Sequence, residues 1–292
     1  MILLIDCPYL CYRAYFTTGR LKEGTVFGFL SALQKLRERF NPDVICFCFD
    51  GDGKPLRKEI YPDYKGGREN KDDGEKKEVR NQIKKLRDSW LNEMGWKNVF
   101  HQRGHEADDV IASICYAPQD GGKVIPKLWR EICAPKFVIV SSDHDLYQLL
   151  EDDRVSMWQP SGNKLVTESS FRDEWGIAPK QWANVKAIAG CKSDNVPGLG
   201  GIGEKTAAKC LGWFKEKGLV PARIKTARDK ISANADLIKF NLRLVGLPYE
   251  GTNEFEIRPD EATAKRWREW CRNNGMKSLE RRERPSLFEG QK

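Results

Sequence analysis

Ile2-Leu3-Leu4-Ile5-Asp6 is a continuous apolar run that ends in a carboxylate, and the chain repeats this pattern twice. It returns as Val44-Ile45-Cys46-Phe47-Cys48-Phe49-Asp50 and as Phe137-Val138-Ile139-Val140, which leads into Ser141-Ser142-Asp143-His144-Asp145. Short, continuous apolar runs are typical of strands buried on both faces of a parallel sheet. A helical pattern over residues 27–40 separates the first two runs. This alternation predicts an α/β fold with a mostly parallel sheet flanked by helices.

The strand ends predict a cluster of carboxylates, because ligands of open parallel sheets bind outside the carboxyl ends of the strands. Asp6, Asp50, Asp143 and Asp145 are therefore expected to converge at one edge. A single aspartate at a strand end is commonly a turn residue or a helix cap. Four of them side by side cannot all ionise without cations.

A second acidic stretch, Glu106-Ala107-Asp108-Asp109, precedes an apolar run and predicts a helix start at this edge. Glu106 and Asp109 are three residues apart and are expected to share a face, with Asp108 at the edge of the turn. Acidic residues in a first turn most often only compensate the helix dipole. Together with the strand ends, however, they form a set of hard oxygen ligands without His or Cys, which selects Mg²⁺ or Mn²⁺. Paired ions of this kind activate water for phosphodiester cleavage, so the sequence indicates a metal-dependent nuclease.

Composition narrows the classes of protein. At 292 residues the length suggests about two domains, and 32% charged residues describe a highly charged globular protein. The net charge of +8 includes the carboxylates assigned to metals, so a basic surface around an acidic cleft favours a polyanionic partner. The sequence has no apolar run near the ~20 residues of a membrane span and no signal peptide, which predicts a cytosolic protein without a membrane partner. Nine cysteines without a Cys-x-x-Cys motif are expected to be reduced and buried.

Two basic stretches are candidates for phosphate contacts. In Tyr61-Pro62-Asp63-Tyr64-Lys65-Gly66-Gly67-Arg68, Lys65 and Arg68 are placed to grip a phosphate, and the aromatic residues beside them could stack bases. The second stretch, residues 186–209, begins with Lys186 and places glycines between two helical patterns. Such a hairpin presents backbone N–H groups at a helix N-terminus, which suits binding of a duplex by its phosphate backbone. Its candidate DNA contacts include Gly198, Gly201, Gly203, Lys205, Thr206 and Lys209.

Taken in order, these segments resemble the 5′ nuclease family: flap endonucleases, phage 5′→3′ exonucleases and the 5′ nuclease domain of bacterial DNA polymerase I. The resemblance runs from Ile2 to about Pro248, and its landmarks include Tyr64-Lys65-Gly66-Gly67-Arg68, Glu106-Ala107-Asp108-Asp109 and Gly201-Ile202-Gly203-Glu204-Lys205-Thr206-Ala207. It implies a PIN-like catalytic domain over residues 1–184 with a short arch near 68–90. It also implies a helix-hairpin-helix type (H3TH) duplex-binding module over 185–250 that often holds a K⁺ ion. Beyond the resemblance, the sequence pattern predicts a C-terminal helix and tail over 251–292.

The resemblance also assigns roles to residues. One Mg²⁺ ion, or Mn²⁺ in its place, would be held by Asp6, Asp50, Glu106 and Asp108. The other would be held by Asp109, Asp143, Asp145 and Asp194. Lys65 and Arg68 would contact the scissile phosphate, Lys186 falls on another recurrent lysine, and Tyr64 would contact DNA.

The implied partner is DNA with 5′ ends or flaps, with RNA in RNA/DNA hybrids as a further substrate. The tail at 284–288 is similar to a peptide that docks on bacterial sliding clamps, although its glutamine is absent. A monomer in the cytoplasm of a bacterium or a phage-infected host is expected.

One position departs from the family. Many relatives have an aspartate where this chain has Cys191, in Gly190-Cys191-Lys192-Ser193-Asp194-Asn195. Sulfur is a poor ligand for Mg²⁺, so the second metal is expected to bind weakly or to prefer Mn²⁺. This motivates an alternative function, a catalytically impaired protein that binds structured DNA. A third, an RNase of the wider PIN group, fits the duplex-binding hairpin poorly.

Overall fold

A six-stranded sheet forms the centre of the molecule in the computed structural model, which describes residues 1–19, 23–67, 74–116, 135–212 and 221–282. The strand order is β3-β2-β1-β4-β5-β6, and all neighbours are parallel except the β5–β6 pair. The strands are β1 Ile2–Asp6, β2 Val44–Cys48, β3 Val99–Phe100, β4 Phe137–Val140, β5 Val155–Gln159 and β6 Lys164–Val166.

The three apolar runs of the sequence are β2, β1 and β4, which are adjacent at the middle of the sheet. Ile2 pairs with Val44 on one side and with Phe137 on the other, so the three strands run in register. Their carboxyl ends therefore lie side by side, and the predicted α/β fold is confirmed.

Alternate residues of β1 divide the core into two layers. Leu3 and Ile5 pack in an apolar cluster with the first two helices, whereas Ile2 and Leu4 pack in a cluster with the helix that follows Glu106. All four side chains are fully buried. Since side chains alternate across a strand, this two-sided burial requires the uninterrupted apolar run seen in the sequence.

The helices of the N-terminal part surround the sheet. They are α1 Cys7–Thr18, α2 Gly24–Phe40, α3 Arg57–Ile60, α4 Gly74–Lys85, α5 Leu91–Glu93, α6 Ala107–Tyr116 and α7 Glu168–Trp175. A π-helical turn at Leu86–Trp90 joins α4 to α5, and 3₁₀ turns occur at His144–Leu149 and Pro179–Gln181. Within the described ranges, no helix combines the length and the apolar character needed to cross a bilayer.

A helical region follows, comprising α8 Trp182–Ala189, α9 Glu204–Gly212, α10 Ala222–Ala233 and α11 Ala235–Val245. The buried amide of Asn241 in α11 donates to the carbonyl oxygens of Ala187 (2.8 Å) and Pro197 (2.6 Å). These two bonds tie α11 to α8 and to the loop before α9. The division of the chain after residue 184 stays a prediction.

The C-terminal segment returns to the N-terminal part. Residues 251–262 run beside β3, where Asn98 exchanges two hydrogen bonds of 2.8 Å with the backbone of Arg258. Helix α12, Ala264–Asn273, begins after Thr263, whose hydroxyl accepts the N–H of Arg266, and α13 is Lys277–Arg282. Trp267 and Trp270 of α12 are buried in the core. The tail at 284–288 lies outside the described residues.

Asp260 holds this C-terminal segment to the sheet. Its Oδ1 accepts the backbone N–H of Lys97 at 2.7 Å and the side-chain amide of Asn98 at 3.2 Å, whereas its buried Oδ2 has no hydrogen-bond partner among the described residues. Burial raises the pKa of Asp260 from 3.8 to about 6, against the lowering effect of these hydrogen bonds. A raised carboxyl pKa favours the folded state below pH 4, and this contribution is lost as the pH rises through about 6.

We therefore expect Asp260→Asn to raise the free energy of unfolding by about 1 kcal/mol at pH 8 and to change that free energy little at pH 4. Urea unfolding at the two pH values measures this difference. An equal change at both values would contradict it. Exposed Asp173 in α7, changed to Asn, is the matched control.

Candidate active site

Asp6 and Asp50 lie at the carboxyl edge of the sheet and are fixed by the elements around them. Asp6, 5% exposed, accepts the N–H of Tyr9 at 3.0 Å and the hydroxyl of Ser141 at 2.7 Å. It thereby caps α1 and links β1 to the end of β4. Asp50 Oδ1 accepts the N–H of Ala107, the first residue of α6, at 2.9 Å. A strand-end carboxylate thus serves as helix cap and brings the acidic helix start to the same edge.

The end of β4 supplies two more carboxylates. Ser141 Oγ, which donates to Asp6, also accepts the N–H of Asp143 at 3.0 Å. Asp143 Oδ1 in turn accepts the N–H of Asp145 at 2.9 Å, at the start of the 3₁₀ turn. Asp143 is exposed and Asp145 is half-buried, so the two line an open edge.

The acidic residues affect one another's ionisation. Burial, and the charges of Asp143 and Asp50, raise the pKa of Asp6 to about 7. Burial, with the charges of Asp143 and Asp6, raises the pKa of Asp108 well above its ordinary value. Burial and Asp143 raise the pKa of Asp145 to about 6, although Lys186 opposes the shift. These carboxylates carry more negative charge than their surroundings neutralise.

Two lysines provide part of the counter-charge. Lys65 Nζ forms an ion pair with Glu106 and lies 3.8 Å from Asp194 Oδ1. Lys186, 7% exposed, lies 2.9 Å from Asp145 Oδ1 and 3.1 Å from Glu204 Oε1. Burial alone would lower the pKa of Lys186, but Asp145 and Glu204 hold it above its ordinary value. The ammonium group of Lys186 therefore stays charged beside the carboxylates.

Cys191 belongs to a second group of possible ligands. The ligand atoms of Asp145, Cys191 and Asp194 all lie within 4.8 Å of one another. The thiol is 7% exposed, lies 3.0 Å from the hydroxyl of Ser193 and donates to Asp194 Oδ2 at 3.5 Å. Burial, followed by the charge of Asp194, raises the pKa of Cys191. The thiol stands where two carboxylates already converge.

The structure corrects the assignment of Asp109 as a metal ligand. Its fully buried carboxylate accepts two hydrogen bonds from Arg57, at 2.7 and 2.8 Å, and the N–H groups of Glu106 and Tyr249. Although burial would raise it, the bonds from Arg57 hold the pKa of Asp109 below its ordinary value. Glu106 and Asp109 do share a face of the helix start, but at Asp109 that face meets a guanidinium group.

The structure also corrects the expected role of Tyr64. Its ring is 4% exposed and packs with Ala187 and Val196, and its hydroxyl donates to Glu106 Oε2 at 2.8 Å. A ring buried in this way cannot stack a base. Tyr64 instead orients Glu106. Arg68, predicted to contact the phosphate, lies outside the described residues.

The glycine-rich hairpin joins α8 to α9. A Cβ atom at Gly198 would meet the carbonyl oxygen of Ala189 at 1.9 Å, so the close approach to α8 requires glycine there. Gly201 has φ +81° and, like Gly203, has open space on the side where a Cβ atom would lie. Lys205 and Lys209 are exposed on α9 and Thr206 is half-buried. An extended ligand can therefore approach the hairpin backbone at the start of α9.

Sequence reasoning missed two residues of this site. Ser141 had a signal, since a hydroxyl directly after a buried strand and before an acidic pair is well placed to bond across the strand ends. Arg57, 3% exposed, had none, because its partners lie far away in the sequence.

The donor set fits a hard divalent cation. Oxygen ligands dominate, and the raised pKa values of Asp6 and Asp145 show negative charge that a cation would neutralise. The acidic edge is therefore a divalent-metal site by its chemistry.

Two family models together cover most of the chain. Residues 1–176 match the N-terminal resolvase-like domain of 5′-3′ exonucleases, and residues 177–269 match the C-terminal SAM fold of the same proteins. The chain belongs to the 5′-3′ exonuclease family.

Relatives in sequence agree with the family assignment, and a solved structure shares the fold. The chain is 34% identical over 250 residues to the thermostable DNA polymerase I of Thermus aquaticus, covering 82% of this chain and 28% of the polymerase. It is 33% identical over 217 residues to a 5′-3′ exonuclease of Mycoplasmopsis pulmonis, covering 73% of this chain and 66% of that protein. A T5 5′-exonuclease with bound zinc shares the fold, with a TM-score of 0.64, 23% identity and coverage of 85% and 89%. The chain spans about a quarter of the length of the polymerase relatives.

Proposed function

We propose that this protein hydrolyses phosphodiester bonds near DNA 5′ ends, as a 5′→3′ exonuclease and flap endonuclease in replication or repair. The observation that carries the proposal is the convergence of carboxylates from β1, β2, β4 and α6 at one edge of the sheet, beside Lys65 and Lys186. Membership of the 5′-3′ exonuclease family supports it.

The proposed cofactor is a pair of Mg²⁺ ions, for which Mn²⁺ can substitute. One ion would be held by Asp6, Asp50, Glu106 and Asp108, and the other by Asp143, Asp145 and Asp194 with Cys191 beside them. Bound ions of this kind supply a metal-activated water and stabilise the leaving oxygen. Zinc bound to the T5 5′-exonuclease supports divalent-metal binding by this fold.

The chain's own residues would orient the substrate. Lys65 and Lys186 place two ammonium groups beside the carboxylates, where they can bind the oxygens of the scissile phosphate. The hairpin at Gly201 and Gly203, with Lys205, Thr206 and Lys209, would hold the duplex by its phosphate backbone. A K⁺ ion in the hairpin is also part of the proposal. Among the hairpin carbonyls, that of Gly200 already accepts from Lys230 Nζ at 2.6 Å.

A cleavage assay tests the proposal. A 5′-labelled flap is incubated with the protein in EDTA, Mg²⁺ or Mn²⁺, and Asp143→Asn is compared with the exposed Asp173→Asn. We expect cleavage with either ion, none in EDTA and strong loss only for Asp143→Asn. Tight flap binding without cleavage in both metals would favour the impaired DNA-binding protein, which Cys191 motivates. The same assay on an RNA/DNA hybrid tests the RNA substrate.

Cys191→Asp is expected to lower the Mg²⁺ concentration for half-maximal cleavage by about tenfold, because a carboxylate replaces a poor Mg²⁺ ligand. The advantage of Mn²⁺ over Mg²⁺ should shrink in the same variant. Metal titrations of single-turnover cleavage measure both. The control is Cys191→Ser, which should not gain Mg²⁺ affinity. Cys210→Asp is unsuitable as a control, because it would bury a charge. An unchanged metal dependence in Cys191→Asp would contradict the prediction.

A further inference from the structure

Arg57 is a buried cation that touches three separate parts of the chain. It lies on the short helix α3, is 3% exposed and donates through every nitrogen of its guanidinium group. Two of these bonds form the bidentate pair with Asp109 described above. Such planar pairs fix orientation more tightly than a lysine could.

One side of Arg57 holds the helical region. Its Nε donates to the carbonyl oxygen of Leu244 at 2.8 Å, and its Nη2 to that of Gly246 at 3.3 Å. Both carbonyls lie at the C-terminal end of α11, the helix whose Asn241 bonds to α8 and to the loop leading into the hairpin. The position of the hairpin is thus connected to Arg57 through a continuous set of hydrogen bonds.

The other side of Arg57 holds the acidic helix start. Its Nη1 lies 3.3 Å from Glu106 Oε2, and Asp109 accepts the backbone N–H of Glu106 at 3.0 Å. Asp109 also accepts the N–H of Tyr249, just after α11, at 2.8 Å. The guanidinium carbon lies 4.7 Å from the ring centroid of Tyr249. The same ion pair therefore fixes both Glu106 and the end of the helical region.

We propose that Arg57, through Asp109, is a positioning residue that sets the distance between the duplex-binding hairpin and the metal-binding carboxylates, and so selects which phosphodiester bond is cut. This inference rests on the proposed function. A duplex held at the hairpin presents successive phosphates at fixed spacing, so a small shift of the helical region changes the bond that reaches the carboxylates. A misplacement of about 1 Å can slow a reaction by roughly 10²-fold.

Cleavage mapped to single nucleotides tests this role. The variants are Arg57→Gln, the conservative Arg57→Lys and Asp109→Asn, with Arg154→Gln as matched control, because Arg154 also pairs with a carboxylate and a backbone carbonyl outside the site. We expect wild type and control to cut at one main bond, whereas Arg57→Gln and Asp109→Asn spread the products over neighbouring bonds and slow cleavage about 10- to 100-fold. Duplex affinity in EDTA should stay within about twofold, since Lys205 and Lys209 are untouched. Arg57→Lys should restore part of the rate.

Removing one partner of a buried pair leaves an uncompensated charge and can unfold the protein. The double variant Arg57→Met/Asp109→Leu removes both charges, so it leaves no unpaired buried charge and its cleavage positions can be mapped in the same way. Unchanged cleavage positions in folded variants of Arg57 would overturn the inference.

A second measurement does not depend on catalysis. Energy transfer from Tb³⁺ at the acidic edge to a dye on a bound duplex reports their separation. We expect one narrow distance in the wild type and a broader distribution in Arg57→Gln. Identical distributions would overturn the inference, whereas a wild type that cuts no flap in any metal would overturn the proposed function instead.

Discussion

Asp6→Asn is expected to slow flap cleavage by about 10²- to 10³-fold and, at the same time, to stabilise the protein in EDTA. Asp6 is 5% exposed, and burial together with the charges of Asp143 and Asp50 raises its pKa to about 7. Its carboxylate is therefore unfavourable for folding and, in our proposal, needed for metal binding. Asparagine keeps one oxygen, which can accept the N–H of Tyr9 and so preserve the cap of α1, and its NH2 group can donate to the hydroxyl oxygen of Ser141, which keeps a link to β4 with the donor reversed.

The size of the stability change depends on pH. A carboxyl group with a raised pKa stabilises the folded state fully below about pH 4, and this stabilisation is lost as the pH rises through about 7. The difference between 3.8 and about 7 corresponds to about 4 kcal/mol at most. Since neighbouring carboxylates share the effect, about 1–3 kcal/mol is expected for Asp6→Asn at pH 8.

Thermal unfolding in EDTA at pH 5 and pH 8, beside single-turnover cleavage in Mg²⁺, measures both effects. The exposed Asp173→Asn is expected to change neither. A variant that loses activity and stability together at pH 8 would contradict the prediction, because simple misfolding would then explain the lost activity.

The strand ends were predictable from sequence because local pattern and a general rule agree. Uninterrupted apolar runs identify β1, β2 and β4, and parallel neighbours bring Asp6, Asp50 and Asp143 to one edge. The start of α6 was also predictable, since carboxylates directly precede its apolar residues. These inferences needed no knowledge of how distant side chains meet.

The partners of the carboxylates were not predictable in this way. Helical periodicity places Glu106 and Asp109 on one face, but it does not indicate that Arg57 binds Asp109 on that face. Likewise, an aromatic residue beside Lys65 suggests a ring on which bases stack, whereas Tyr64 is buried under the helical region. Both errors arise because loops between elements set such contacts, and no periodic pattern records their paths.

Lys65→Met is expected to slow single-turnover cleavage by about 10²- to 10³-fold with little change in duplex affinity. Its ammonium group pairs with Glu106 and lies 3.8 Å from Asp194, so it stands between carboxylates that we assign to different metal ions. A cation held there can stabilise charge that develops on the phosphate during cleavage. Duplex binding depends in our proposal on the hairpin, which the substitution leaves intact.

Lys136→Met is the matched control, because this exposed lysine lies just before β4, at the amino edge of the sheet and away from the carboxylates. Both variants lose one positive charge, so any general weakening of DNA attraction affects them equally. Rates at saturating protein, combined with duplex binding in EDTA, separate the two roles. If Lys65→Met lowered affinity as much as rate, Lys65 would be a binding residue. If instead the rate alone falls, the ammonium group acts on the reacting phosphate. The loop itself is retained, because the hydrogen bond from the backbone N–H of residue 65 to Asp194 O, at 2.9 Å, survives the substitution.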